Sequence, residues 1–356
     1  MLKTLFITRK WPPAVGGMET YSIELTEELR KLVNLNIFFL PGKPNGSPPK
    51  LFEIFIFFFK ATIQCLKEKK IDVLHIGDMT LWPIAMISSV FRKKSILVIS
   101  AHGTDVAYHL RAGCAPVLYH WYLLLGAILM KSRIKIIANS HATATYCKSH
   151  GFKNVYVVPL GVRMSHEVVG FATHPSKYIL FVGRLARRKG AGWFTENVLP
   201  LLSEEIILKV AGTVWDEEEF KVIHDSKRTE FLGPIYGEEL AKLRRNAIAV
   251  IMPNIKCGGR DFEGFGLTAV EAAADGAVLL ASNIDGIVDA VVDGTTGWLL
   301  RSEDSVVWKN KIEEIMQWDV HKRSCFVTES RAAVAQFYSW VRVARDTAKI
   351  YKSADI

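Results

Sequence analysis

Cysteine is scarce. Five occur in 356 residues, at 65, 114, 147, 257 and 325, and no Cys-x-x-Cys pair is among them. An odd, unpatterned set excludes a disulfide framework and a cysteine zinc site, and points to a reducing compartment. Asp-x-Asp is also missing, as is any His/Cys cluster at ligand spacing, so no metal is expected. No 20–50-residue repeat appears, which excludes solenoids and propellers. No Gly/Ser or Gln/Asn block suggests a low-complexity tail. Met1–Thr8 is apolar but ends at Arg9 and Lys10 before a Trp-Pro-Pro, so no secretory leader is expected. The longest apolar run, Ala115 to Met130, is shorter than the roughly 20 residues of a membrane span and contains His120. It reads as a buried helix. A soluble, cytoplasmic chain follows from these absences.

Apolar residues are plentiful, 49% against 23% charged, which suits a folded protein too long for one ordinary core. The charge is uneven. Residues 1–163 hold 21 Lys and Arg against 9 Asp and Glu, a net +12; residues 164–356 hold 24 against 27, a net −3. The basic half should face something anionic.

Short β-branched or aromatic runs alternate with helical stretches. Strands are expected at 2–8, 36–40, 72–76, 95–100, 134–138 and 155–159. A second series is expected at 178–182, 207–211, 230–232, 247–252, 278–281 and 298–300. Helices are expected at 20–32, 51–69, 141–150, 268–274 and 306–318. The alternation means two parallel sheets covered by helices. Gly161, Gly170, His174 and Pro175 interrupt it near 160–176, which places domains at 1–165 and 166–356. In such sheets ligands bind beyond the carboxyl ends of the strands.

Four loops there carry chemistry. Gly16-Gly17, between the first strand and helix, lets backbone amides approach an anion. His102, in Ala-His-Gly-Thr-Asp after the fourth strand, can meet a polar substrate. In Gly183-Arg184-Leu-Ala-Arg-Arg-Lys189-Gly190, Arg184 offers a planar fork and Lys189 a point charge, a pairing suited to a pyrophosphate. Glu263-Gly-Phe-Gly-Leu-Thr-Ala-Val-Glu271 joins two carboxylates, eight residues apart, through a glycine elbow whose amides open a helix. Its Gly264-x-Gly266-x-x-Ala269 matches a dinucleotide fingerprint. It stands about ten residues after its strand and late in the second half, so it is discounted.

Together with Asp293-Gly294-x-x-Gly297, these motifs resemble the retaining nucleotide-sugar glycosyltransferases of glycosyltransferase family 4, over nearly the whole chain. The resemblance implies the α/β GT-B fold, two Rossmann-like parallel-sheet domains facing each other across a cleft. A last helix, near 337–351, would cross back onto the first domain. It implies that Gly16 and Gly17 approach the donor diphosphate while Arg184 and Lys189 neutralise it. Glu263 with Gly264, Phe265, Gly266 and Leu267 would hold the donor sugar, Glu271 the ribose, and His102 would reach the sugar beside the reacting carbon. Glu263, His102, Arg184 and Lys189 are thus the catalytic candidates. The chain departs from the family pattern at Leu160-Gly-Val-Arg163 and at Asp285-Gly286. A sugar-nucleotide epimerase of the same fold, or a non-catalytic sugar-nucleotide-binding relative, is the alternative.

The acceptor is expected to come from the basic half. Leu51–Phe59 is strongly aromatic and is flanked by Lys60, Lys67, Lys69 and Lys70. It reads either as a core helix or as a surface for anionic lipid. A lipid-linked glycan acceptor in surface polysaccharide assembly fits the second reading, with the protein peripheral at the inner face of the plasma membrane. No cofactor and no nucleic-acid partner is expected.

Overall fold

The computed structural model describes residues 1–14, 16–43, 47, 49–68, 70–130, 132–164, 177–258 and 261–353. The chain divides into two compact units. One comprises Met1–Leu160 with Trp340–Ile356, the other Gly161–Ser339. Gly170, His174 and Pro175 lie outside the described residues.

The first unit is a six-stranded parallel sheet in the order β2-β1-β3-β4-β5-β6. Its elements run β1 (Lys3–Thr8), α1 (Gly17–Leu29), β2 (Asn34–Phe39), α2 (Leu51–Lys67), β3 (Val73–Ile76), α3 (Trp82–Phe91) and β4 (Ile96–Ala101). The short α4 (Thr104–Ala107), α5 (Cys114–Met130), β5 (Ile134–Ala138), α6 (His141–Ser149) and β6 (Asn154–Val157) follow. β1 and β3–β5 are buried apolar runs, as strands covered on both faces must be. Ser140 and Asp78 cap their helices by accepting backbone N–H groups.

The second unit repeats the plan with the order β12-β11-β10-β7-β8-β9. It contains β7 (Tyr178–Val182), α7 (Ala191–Asn197), β8 (Ile207–Ala211), α8 (Glu217–Asp225), β9 (Thr229–Gly233), α9 (Gly237–Asn246) and β10 (Val250–Met252). Then come α10 (Leu267–Ala274), β11 (Leu279–Ser282), β12 (Trp298–Leu300), α11 (Ser305–Met316) and α12 (Val320–Phe337). Its core gathers around Phe181, Phe194 and Trp308. All twelve expected strands are present, with ends shifted by up to three residues.

The last helix, α13 (Trp340–Lys352), returns to the first unit and packs on α1. A buried polar chain holds it. His75 Nδ1 lies 2.6 Å from the Tyr351 hydroxyl, His75 Nε2 lies 2.7 Å from Ser100 Oγ, and Ser100 meets the Tyr21 hydroxyl at 2.6 Å. Burial pushes the His75 ring down to about 3, so it is neutral and each group in the chain is satisfied.

The run Ala115–Met130 is helical, as expected, but it is not buried. Leu123, Gly126, Ala127 and Met130 face inward, while Val117, Leu118, Trp121, Leu125, Ile128 and Leu129 are exposed. The Phe-rich α2 is also divided. Phe57, Ala61 and Cys65 enter the core, and Leu51, Phe52, Phe55, Phe59, Ile63 and Leu66 do not. α3 touches both helices and ends in the exposed Val90 and Phe91. No described helix is long and apolar enough to cross a membrane.

Candidate active site

In the second unit the loop after β7 turns sharply. Arg187–Lys189 forms a single 3-10 turn ending at Gly190, whose φ of 71° and close approach to the Pro253 carbonyl admit no Cβ. Lys189 therefore sits in a 3-10 turn before α7 rather than at a helix start. Its ammonium lies 2.5 Å from Glu263 Oε2, and Arg188 donates to the same oxygen. Arg188 also donates to Asp261 from Nε at 2.8 Å. Asn254 Nδ2 stands 3.4 Å from Glu263 Oε2, and its own Oδ1 is buried without a partner among the described residues.

Burial alone would raise the Glu263 carboxyl, but Lys189 and Arg188 outweigh it and hold it at about 2. Burial in turn lowers Lys189, with the Glu263 carboxylate opposing. A buried carboxylate between two cations at hydrogen-bond distance is charged, and so are its partners. Arg188 and Lys189 face Glu263 and Asp261, so the four charges balance within the cluster, and a phosphate here would share cations that already hold acids.

Arg188 was not among the expected residues. Arg184, which was, lies over the Trp215 ring at 4.3 Å. The cation that joins Lys189 on Glu263 is thus Arg188. Three basic residues in a row hide which one points inward, because a 3-10 turn points successive side chains in different directions.

The elbow after Glu263 is built by backbone contacts. The Gly286 N–H donates to the Glu263 carbonyl at 3.0 Å, and a Cβ there would overlap the Gly264 carbonyl. Asp285 takes a φ of 51° and its carboxylate accepts the Glu263 N–H at 3.3 Å. The departure Asp285-Gly286 therefore shapes the elbow. Gly266, at φ 89°, caps α10, and the amides of Leu267 and Thr268 open its first turn. Phe265 is buried below them. Two turns along, Glu271 Oε2 accepts from Arg244 at 2.8 Å, and Arg244 also reaches Asp275 at 2.7 Å. Arg244, buried on α9, was a second omission. Nothing in its helix pattern marks it.

In the first unit, Gly16 precedes α1 extended, and a Cβ on it would strike the Glu19 carboxylate. Gly17 starts the helix. Val15 lies outside the described residues. His102 is buried; its Nε2–H donates to the Gly77 carbonyl at 2.9 Å, and its backbone N–H to Asp105 at 2.8 Å. Tyr21 meets its ring edge-on at 4.6 Å. The ring is thus held in one orientation. Of the expected lipid contacts, Lys60, Lys67 and Lys70 are exposed, and Lys69 lies outside the described residues.

The fold also assembles a group that spacing alone had excluded. His109, His120 and His150 each place a ring nitrogen within 4.8 Å of the others.

Two family models match the chain. Residues 15–166 fit Glycosyltransferase Family 4, and residues 176–317 fit Glycosyl transferases group 1. An uncharacterized glycosyltransferase of Methanocaldococcus jannaschii is 28% identical over 50% of this chain and 45% of its own length. The D-inositol 3-phosphate glycosyltransferase of Paenarthrobacter aurescens is 29% identical over 62% and 57%. The chain spans about half the length of these curated relatives. HepE of Anabaena, solved with UDP and glucose, matches over 99% of this chain and 100% of its own, with a TM-score of 0.71 and 18% identity. That likeness concerns the fold, two six-stranded parallel sheets flanked by helices.

Proposed function

We propose that this chain, which carries the two domains of a GT-B glycosyltransferase, moves a sugar with retention from a nucleotide diphosphate to a hydroxyl of a lipid-linked glycan. The observation that carries the reading is the Glu263 cluster, in which one carboxylate and two cations converge beside a helix-opening elbow. UDP and glucose bound to HepE support a nucleotide-sugar donor.

The anomeric carbon–oxygen bond breaks through an oxocarbenium-like state while charge grows on the leaving phosphate. Lys189, Arg188, Arg184 and the α10 amides stabilise that charge without a metal at the diphosphate. Glu263 takes sugar hydroxyls, with Asn254 Oδ1 as a further acceptor, and Glu271 takes the ribose. Gly16, Gly17 and His102 act on the same donor, at its diphosphate and at the sugar. The acceptor oxygen bonds to the anomeric carbon on the face the phosphate leaves, and the phosphate receives its proton.

The exposed apolar sides of α2, α3 and α5 carry Lys60, Lys67, Lys70, Lys93 and Lys94 beside them. Apolar area next to ammonium groups complements an anionic bilayer surface, which is where a lipid-linked acceptor resides.

The test is a panel of nucleotide sugars with and without a lipid extract, run with and without chelator. Transfer from one donor that needs the extract and ignores the chelator is the expected result. Release of a modified free sugar nucleotide, or no turnover with any donor, would overturn it.

A further inference from the structure

The three histidines lie 11 and 30 residues apart, on separate parts of the first unit. His109 is in the short turn Tyr108–Leu110, His120 is on α5, and His150 ends α6. Their ring centroids are 4.7–5.1 Å apart. A single carbonyl organises two of them. His109 Nδ1–H and His150 Nε2–H both donate to the Val106 oxygen, each at 2.9 Å. Those bonds leave the lone pairs on His109 Nε2 and His150 Nδ1. A backbone carbonyl behind an imidazole is the usual support of a metal-ligating histidine.

Two nitrogens then have nothing to bond. His150 Nδ1 and His120 Nδ1 are both buried without a partner among the described residues, and the His150 residue is 1% exposed. A buried imidazole nitrogen without a partner is costly.

We propose that His109, His120 and His150 bind one divalent first-row transition ion, zinc by its ligand chemistry, with water at the fourth position. Three imidazoles with neither thiolate nor carboxylate suit zinc, which imposes no geometry of its own. Tetrahedral ligation at about 2.1 Å sets the nitrogens roughly 3.4 Å apart.

The ion would tie the 108–110 turn to α5 and α6. Val106 belongs to α4, directly after Asp105, whose carboxylate accepts from the His102 backbone. The site therefore braces the loop that carries His102. All three ligands belong to the first unit, whereas the Glu263 cluster belongs to the second.

The test uses the full chain without a histidine tag, stripped with chelator and titrated with zinc chloride. One zinc per chain should bind and raise the melting temperature by about 5 °C. His109→Gln and His120→Gln should each weaken binding tenfold or more. His224→Ala, on the exposed face of α8, should not. Cys325→Ser controls for the exposed Cys325–His321 pair on α12, whose sulfur lies 3.7 Å from the ring. In the wild type, zinc should also protect His109 and His120 from diethylpyrocarbonate, mapped by mass spectrometry, a readout that needs no variant to fold. No binding above background, binding unchanged in His120→Gln, or binding lost only in Cys325→Ser would overturn the proposal.

Discussion

At the scale of the residue, the Glu263 oxygen shared by Lys189 and Arg188 separates stability from catalysis. Lys189→Ala leaves the carboxylate with Arg188 and Asn254, so the fold should tolerate it. Loss of the cation should cost about 2–4 kcal/mol of barrier, roughly 30–1,000-fold in turnover. Glu263→Ala instead strands Lys189 in a poorly hydrated site and leaves Arg188 with Asp261, and breaking a buried pair costs about 3–5 kcal/mol. Its melting temperature should fall well below that of Lys189→Ala. Equal melting temperatures for the two variants would contradict the pairing, and near wild-type turnover in Lys189→Ala would remove it from the site. The depressed Glu263 carboxyl adds stability that is complete above its ordinary value near 4.5 and declines as pH falls toward 2.

A second residue titrates earlier. His75 stands among the Tyr351 and Tyr21 hydroxyls and Ser100, with the His102 ring nearby and, among the described residues, no carboxylate bonded to it. Its folded value near 3 lies below its ordinary 6.5, so protons bind the unfolded chain first. The stability it contributes is present above pH 6.5 and is lost progressively below. At one pH unit beneath 6.5 the loss is about 1 kcal/mol. Urea midpoints at pH 7 and 5.5 should show it in the wild type, and His75→Gln should reduce the difference. An unchanged difference would reject the assignment.

At the scale of the element, the elbow between β10 and α10 depends on Gly286. A methyl there meets the Gly264 carbonyl, so Gly286→Ala must push the Glu263–Gly264 strand of the loop outward. The expected result is weaker donor binding with the second-unit core otherwise retained. It would be read as a raised KM for the donor and little change in circular dichroism. Retention of the wild-type KM would mean that the elbow does not touch the donor. The elements themselves were largely legible in the amino-acid pattern. Ile134–Ala138, Tyr178–Val182, Ile207–Ala211 and Trp298–Leu300 form at the expected residues, because a buried parallel strand is a local apolar run. α3, with Pro83 in its first turn, and α12 were among the helices not named from the sequence, as were α7, α8 and α9. Neither α3 nor α12 shows a strong helical stripe, and α12 is sustained by packing on α10.

At the scale of the whole molecule, the +12 of residues 1–163 and the exposed sides of α2, α3 and α5 act together. Flotation with vesicles should show binding that rises with anionic lipid and falls with salt, at about 1 kcal/mol for each Lys near the surface. Replacing Lys60, Lys67 and Lys70 with Gln should weaken it, and so should Trp121→Glu on α5. Both variants should spare donor hydrolysis, since the Glu263 cluster is built wholly within the second unit. A wild-type chain that ignores anionic vesicles at low salt would reject the bilayer as partner.

Strand positions, two sheets, the glycine loops and the Glu263…Glu271 spacing were determined by the sequence, because each depends on neighbours within about ten residues. Tertiary structure decided the rest. It placed Arg188 beside Lys189 on Glu263, since a single tight turn set the direction of each side chain. It supplied Arg244 to Glu271 from a different helix. It left one side of α5 uncovered although the whole helix is apolar, because hydrophobicity states a preference for burial and only the packing of neighbours fulfils it. It also brought together three histidines with no common spacing, since a turn and two helices distant in sequence meet at one point only when the sheet has placed them there.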